Sequence, residues 1–338
     1  MIIEVIELIA SIIIILIGCE LFANAVEHIG RKFSLSHAAA GSLLAAIGTA
    51  MPETLIPILA LIFGGEYKED ISIGAILGAP FMLLTLALFL VGITIIIAKF
   101  LKRRETTIVN VNPKILNFDI KFFIIAFSFV IIGTILWNIT NYVIIKYILA
   151  ILLLILYIYY IKVTLSHPTS EKESYEEFFY LQKYFSMKPK ITNAYLQLLL
   201  GLILIIFGAK LFIGYLTLVG TEIGIPMLIL SLLITPIATE LPEKYNSITW
   251  TWRGKDTLGM GNITGAVAFQ STVVVCVGLI LTEWKLEHNP LLNILFALIS
   301  GILIYLTLKI KKKIPAELFI IMGILYVLYI IISLFFKI

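Results

Sequence analysis

Two stretches of this chain repeat one another, and each sets a glutamate directly after a proline inside an apolar run of membrane-spanning length. The first reads Ile47-Gly48-Thr49-Ala50-Met51-Pro52-Glu53 and the second Ile237-Ala238-Thr239-Glu240-Leu241-Pro242-Glu243. Ile, Thr, Pro and Glu keep their relative positions across a separation of about 190 residues. A carboxylate at bilayer depth costs ~2.5–3.5 kcal/mol on insertion scales, so each of these glutamates marks a functional site by default. Two such residues in corresponding Pro-interrupted segments point to the central site of a secondary transporter.

Composition supports the membrane setting. Of 338 residues, 60% are hydrophobic and only 14% charged, against ~45–50% apolar in an ordinary soluble domain. Mean hydropathy is +1.06, and apolar runs of about 20 residues, enough to cross the hydrocarbon core, recur from end to end. The stretch Ile9 to Ile17 follows Glu4 and Glu7 rather than a basic region, and no small-residue cleavage site follows it. It reads as part of a retained first helix. Cys19 and Cys276 have no metal-ligand spacing and read as apolar fillers. The net charge of +4 sits at helix ends, as topology requires, and implies no nucleic-acid partner.

Hydropathy predicts ten spans, at 2–26, 34–63, 71–98, 120–138, 142–163, 194–217, 223–251, 258–282, 289–308 and 315–336. The polar stretch 164–193 is the longest connection. It divides the chain into a first repeat (1–163), a linker and a second repeat (194–338). Basic residues cluster after the odd-numbered spans: Arg31 and Lys32, Lys102 to Arg104 with Lys114, Arg253 and Lys255, and Lys309 with Lys311 to Lys313. The opposite loops carry Glu66, Glu69, Asp70, Glu283 and Glu287 among few cations. The positive-inside rule then predicts a multi-pass protein of the cell membrane with both termini outside. The first motif runs outward and the second inward. The expectation is thus an all-α membrane protein of ten transmembrane helices, in two inverted five-helix repeats with broken central helices.

The likeness continues beyond the motif. Ser34-Leu35-Ser36 corresponds to Gly224-Ile225-Pro226, and Gly74-Ala75-Ile76-Leu77-Gly78-Ala79 to Gly261-Asn262-Ile263-Thr264-Gly265-Ala266. Spaced small residues let helix backbones approach closely, and packing alone accounts for these glycines.

Pro52 and Pro242 each remove a backbone donor and break the helix. The carbonyls so freed are tolerated at membrane depth only where they line a cavity or meet an ion. Thr49 and Thr239 add oxygens, or else bond back to their own helix. Glu53 and Glu243 supply charge, and Pro57 reads as a second kink. Carboxylate, hydroxyl and carbonyl oxygens suit Ca²⁺ or Na⁺, not zinc or copper. Glu240 stands opposite Ala50, and on a continuous helix would share a face with Glu243, Lys244 and Ser247. It is either a third ion-binding carboxylate, the favoured reading, or an i,i+4 partner of Lys244. Lys244 is alternatively a fixed cation that tunes the field. Gln270 offers a neutral oxygen where the first repeat has Leu83.

The paired Thr-x-x-Pro-Glu and Gly-x-x-x-Gly elements resemble the α-repeats of the cation/Ca²⁺ exchanger superfamily, most of all prokaryotic sodium/calcium exchangers. The resemblance spans both repeats and the helix layout. It implies alternating access with Ca²⁺ exported against Na⁺, Glu53 and Glu243 as principal Ca²⁺ ligands, and Thr49 and Thr239 as oxygen donors. The chain departs from the family where serine is usual, at Ala50 and Glu240. It departs again where Gly-Ser-Asn follows the glycines, at Ala79-Pro80 and Ala266-Val267. Leu83 and Gln270 stand where Asn or Asp is usual. Several Na⁺-site oxygens are therefore missing, while Glu240 restores a third carboxylate.

The expected metal-binding set is Glu53, Glu243, Glu240, Thr49, Thr239 and Gln270. The transported ions are Ca²⁺ and Na⁺ or H⁺, with no cofactor and no obligate protein partner beyond the lipid bilayer. Proton coupling is the rival, because a buried glutamate can carry a proton. An intramembrane enzyme is disfavoured: His28, His37, His167 and His288 lie near predicted helix ends or loops and form no His-Glu-x-x-His pattern. A channel is disfavoured by the inverted broken-helix pattern.

Overall fold

A computed structural model of the chain describes residues 1–32, 51–166, 179–181, 188 and 190–335. Within these the protein is almost entirely helical. The elements are α1 (Ile2–Lys32), α2 (Met51–Phe63), α3 (Lys68–Met82), α4 (Leu88–Phe100), α5 (Pro113–Thr140), α6 (Ile144–Ser166) and α7 (Ile191–Ile223). They continue with α8 (Met227–Thr239), α9 (Leu241–Trp252), α10 (Asp256–Phe269), α11 (Val275–Leu281), α12 (His288–Lys311) and α13 (Glu317–Phe335). Among the described residues, eight helical spans are long and apolar enough to cross a membrane, and Pro52–Phe63 and Met227–Thr239 are shorter apolar helices. Isoleucines 6, 9, 13 and 17 stand exposed on α1, as expected of a helix bathed in hydrocarbon.

Local chemistry sets the helix ends. The fourth span begins at 113 rather than the predicted 120, because Asn112 caps it by accepting from the Lys114 amide at 3.0 Å and Pro113 occupies the first turn. This brings Asp119, expected in a loop, into a helix. The sixth span ends at Gly224, whose φ of +75° permits the left-handed turn. There the Gly224 and Ile225 amides both close on the Gly220 carbonyl.

Two spans contain π-helical turns, Leu83–Ala87 between α3 and α4 and Gln270–Val274 between α10 and α11. Each begins at the residue the sequence comparison aligned, Leu83 or Gln270. The expected span 223–251 is broken, α8 ending at Thr239 and α9 starting at Leu241. The predicted start of the second span, 34–50, lies outside the described residues, as does most of the predicted linker.

Small residues mark the tightest crossings. A Cβ on Gly18 of α1 would lie 2.9 Å from the Gly201 carbonyl of α7, and one on Gly201 would lie 2.7 Å from the Phe22 amide nitrogen. Gly78 of α3 packs on α8 against the Leu232 carbonyl and Pro236, to whose Cγ a Cβ would come within 2.6 Å. Pro236 lacks the amide that would have capped the Leu232 carbonyl, and the space so left admits the glycine backbone. Ser231 of α8 adds a 2.9 Å hydrogen bond to the Ile71 carbonyl of α3. Among the described residues nothing lies within 4 Å of a Cβ on Gly261 or Gly265.

A two-stranded element, unforeseen in an all-α chain, pairs Ile108 and Val109 with Pro315 and Ile314. It joins the connections before α5 and before α13. Arg104 anchors the first connection, donating to both Asp256 carboxylate oxygens at 2.7 and 2.5 Å, while the Asn110 amide reaches Oδ2 at 2.8 Å.

Candidate cation site

The break between α8 and α9 places backbone and side-chain charge together. The Glu240 amide still donates to the Pro236 carbonyl at 3.0 Å, and the Lys244 amide resumes the ladder at the Glu240 carbonyl at 3.1 Å. Pro242 has no amide to offer the Ala238 carbonyl. The C-terminal, electronegative end of α8 therefore meets the electropositive N-terminus of α9, where Glu243 lies in the first turn. A helix end of each polarity at one point suits a cation held by anionic side chains.

Glu53 at the start of α2, Glu240 in the break and Glu243 on α9 converge. One carboxylate oxygen from each lies within 4.8 Å of the others, and the residues are only 3%, 0% and 2% exposed. An equilateral triangle of that edge places its corners 4.8/√3, or ~2.8 Å, from the centre, close to the ~2.3–2.6 Å of Ca²⁺–oxygen bonds. At an effective dielectric constant near 20, each pair of ionised groups at 4.8 Å repels by ~3.5 kcal/mol. Such a cluster requires a cation or protons. Both Glu53 oxygens, Oε2 of Glu240 and Oε2 of Glu243 are buried without a hydrogen-bond partner among the described residues, leaving acceptor capacity that a cation can take up.

The remaining predicted residues fall unequally. Thr239, buried, is the last residue of α8 and adjoins Glu240. Thr49 lies outside the described residues. Gln270 reaches the cluster, but through its nitrogen: Nε2 donates to Glu240 Oε1 at 2.8 Å, while its own oxygen has no partner among the described residues. Gln270 thus orients a carboxylate with its amide hydrogen.

Lys244 is buried on α9 beside the cluster. Its Nζ donates to the Pro236 carbonyl at 3.1 Å and to the Met82 sulfur at 3.0 Å, so its hydrogen bonds bypass Glu240. The helical 240–244 spacing is kept by the backbone bond between them, yet the ammonium turns to the Pro236 carbonyl on the other side of the break.

Residues outside the expected metal-binding set brace the neighbouring helices. Asn262 of α10 donates from Nδ2 to the Glu243 carbonyl and to Ser247 Oγ, both at 3.0 Å. This fixes the first turn of α9 against the neighbouring helix. Two residues further on, Thr264 donates to Asp119 Oδ2 at 2.6 Å, and Tyr160 donates to Oδ1 at 3.1 Å. Asp119 falls just before the predicted span 120–138, which in fact begins seven residues earlier. The signal available was the cap Asn112-Pro113.

Apolar spans around a buried, helix-interrupted cluster of carboxylates define a polytopic membrane protein of the ion-transporting class. The sodium/calcium exchanger protein family model matches residues 4–165 and 193–336, and the chain belongs to that family of membrane antiporters. An uncharacterized membrane protein of Methanocaldococcus jannaschii is 24% identical over 304 residues, 89% of each chain. The putative antiporter CaxA of Alkalimonas amylolytica is 30% identical over 95 residues, 28% of this chain and 30% of that one. Among solved structures, the H⁺/Ca²⁺ exchanger CAX superposes with a TM-score of 0.74 at 18% identity, over 98% of this chain and 82% of that one. The sodium-calcium exchanger NCX_Mj superposes with a TM-score of 0.58 at 23% identity, over 97% and 98%. The family is one of transporters, not enzymes.

Proposed function

We propose that this chain exchanges Ca²⁺ for Na⁺ across the cell membrane by alternating access. Residues 1–163 and 194–338 form inverted five-helix halves of a ten-helix protein, both termini lie outside, and 164–193 links the halves inside. Glu53, Glu240 and Glu243 bind Ca²⁺ as substrate, Thr49 and Thr239 complete the oxygen shell, and Gln270 holds Glu240 in place. The observation that carries this reading is the convergence of three buried carboxylates, within 4.8 Å of one another, on the break in α8–α9. Three hard anionic oxygens at that spacing match Ca²⁺ and disfavour thiophilic metals.

H⁺ is the second candidate for the coupling ion. Leu83 supplies no oxygen where Gln270 stands in the other half, and buried carboxylates short of partners can carry protons in place of Na⁺. The likeness in fold to an H⁺/Ca²⁺ exchanger agrees with this alternative.

Reconstituted protein tests both. ⁴⁵Ca²⁺ should enter proteoliposomes against an imposed Na⁺ gradient, and entry driven only by a pH gradient would transfer the coupling to H⁺. Entry under neither would overturn the antiporter reading.

A further inference from the structure

Three carboxylates and one ammonium share the buried centre, and their sum is unusual. Glu53, Glu240 and Glu243 contribute −3 if all are ionised, and Lys244, 5% exposed, contributes +1. The charge of Lys244 acts on all three carboxylates. The segment 33–50, which supplies the rest of the predicted second span, contains no Asp, Glu, Lys or Arg, and its one titratable side chain is His37. Glu20 on α1 is exposed and accepts from the Tyr180 hydroxyl at 3.1 Å, and its charge is the weakest of those that reach Glu243.

The ammonium is held rather than free to leave. Two of its three donors go to the Pro236 carbonyl of α8 and to the sulfur of Met82, the last residue of α3 before the π turn that opens with Leu83. It therefore lies on the side of the centre where the first half has an apolar residue in place of Gln270. A buried cation kept near carboxylates by acceptors other than those carboxylates leaves their oxygens available to a second cation. The charge left to that cation is −3 + 1 = −2.

We propose that Lys244 is a resident monovalent cation of the transport site, so that the carboxylates bind one divalent ion or two monovalent charges, and exchange is electroneutral. The inference rests on the antiporter reading and adds its charge stoichiometry. Without Lys244 the same cluster would demand a third positive charge in exchange for each Ca²⁺. Lys244 is thus a specificity-determining residue that replaces a transported monovalent ion with a covalently attached one.

The test is ⁴⁵Ca²⁺ uptake by proteoliposomes whose membrane potential is set with K⁺ and valinomycin. For the native chain the final internal-to-external Ca²⁺ ratio should not change with potential. Exchange carrying one net charge would instead shift that ratio about tenfold for each ~60 mV, and this result overturns the inference while leaving the antiporter reading intact. Absence of uptake under either ion gradient overturns the antiporter reading itself. Lys244→Met should make the ratio potential-dependent, whereas Lys244→Arg, which keeps the charge, should leave it independent. A potential-independent Lys244→Met would also overturn the role given to the ammonium. The native measurement stands without either variant.

Discussion

Gln270 donates its amide hydrogen to the Glu240 carboxylate at 2.8 Å. The one carboxylate without a counterpart in the first motif is therefore held by a polar residue whose counterpart on the third span is the apolar Leu83. This contact joins two of the positions at which the halves differ. Both residues sit where helical regularity lapses, Glu240 between α8 and α9 and Gln270 at the head of a π turn. π turns gather at functional sites because they reorient a side chain without ending the helix.

Gln270→Leu reproduces in the second half what the first half already has. It removes a hydrogen bond to a charged group, worth about 1.5–3 kcal/mol, and frees Glu240 to adopt other rotamers. The apparent Ca²⁺ affinity should fall about 10- to 150-fold, read as the concentration for half-maximal ⁴⁵Ca²⁺ uptake. Unchanged affinity would show that Glu240 needs no positioning.

Glu53→Gln should abolish uptake. Its two carboxylate oxygens are the least partnered in the cluster, so the loss falls on ion binding rather than on the fold. A second readout separates the two effects. Ca²⁺ at 100 times its dissociation constant should stabilise the native protein by about 2.7 kcal/mol. A thermal unfolding scan should show that shift for the native chain and none for Glu53→Gln. A full Ca²⁺-dependent shift in the variant would place the ion elsewhere.

Much of this arrangement was legible before any coordinates. Pro-Glu repetition announced both principal glutamates, since a proline and a carboxylate are each costly at membrane depth and leave an unambiguous mark. Hydropathy located the spans because one physical quantity, burial in hydrocarbon, governs them. What stayed hidden depended on direction rather than identity. Nothing in the residues 240–244 tells whether Lys244 turns to Glu240 or to the Pro236 carbonyl, because that follows from how far the broken helix reorients. The π turns leave no composition signal, and Gln270 reads equally as an oxygen or a nitrogen donor. The pairing of 108–109 with 314–315 joins two short segments over 200 residues apart, and two-residue strands have no period to detect.

The Arg104–Asp256 pair offers a test of the periphery. Asp256 has no exposed side-chain surface, and Arg104 is 12% exposed. Arg104→Ala strands a buried carboxylate whose remaining donor is the Asn110 amide, and such a loss costs about 3–5 kcal/mol. Asp256→Ala leaves a guanidinium that lies nearer water and still reaches the Ile108 carbonyl at 3.2 Å. Arg104→Ala should therefore be the more destabilising, and the double variant should be less destabilised than the sum of the single ones. Thermal unfolding of the four proteins in detergent measures this. Additive losses would mean the two residues act independently.

Gly78 and Gly214 form a matched pair for the packing argument. A Cβ on Gly78 would overlap the Leu232 carbonyl and lie 2.6 Å from Pro236 Cγ, whereas one on Gly214 of α7 meets nothing within 4 Å among the described residues. The obstacle at Gly78 is backbone and a proline ring, neither of which can rotate aside, so α3 and α8 must separate. Overpacking of this kind costs about 1–3 kcal/mol. It also moves Pro236, whose carbonyl receives both the Glu240 amide and Lys244 Nζ. Gly78→Ala should lower both thermal stability and Ca²⁺ affinity. Gly214→Ala should leave affinity unchanged and hold or slightly raise stability, since alanine is favoured over glycine within a helix by about 0.5–1 kcal/mol. If the two variants behave alike, the α3–α8 crossing does not position the site. A loss confined to Gly78→Ala ties the glycine repeat to the ion centre through the proline that admits it.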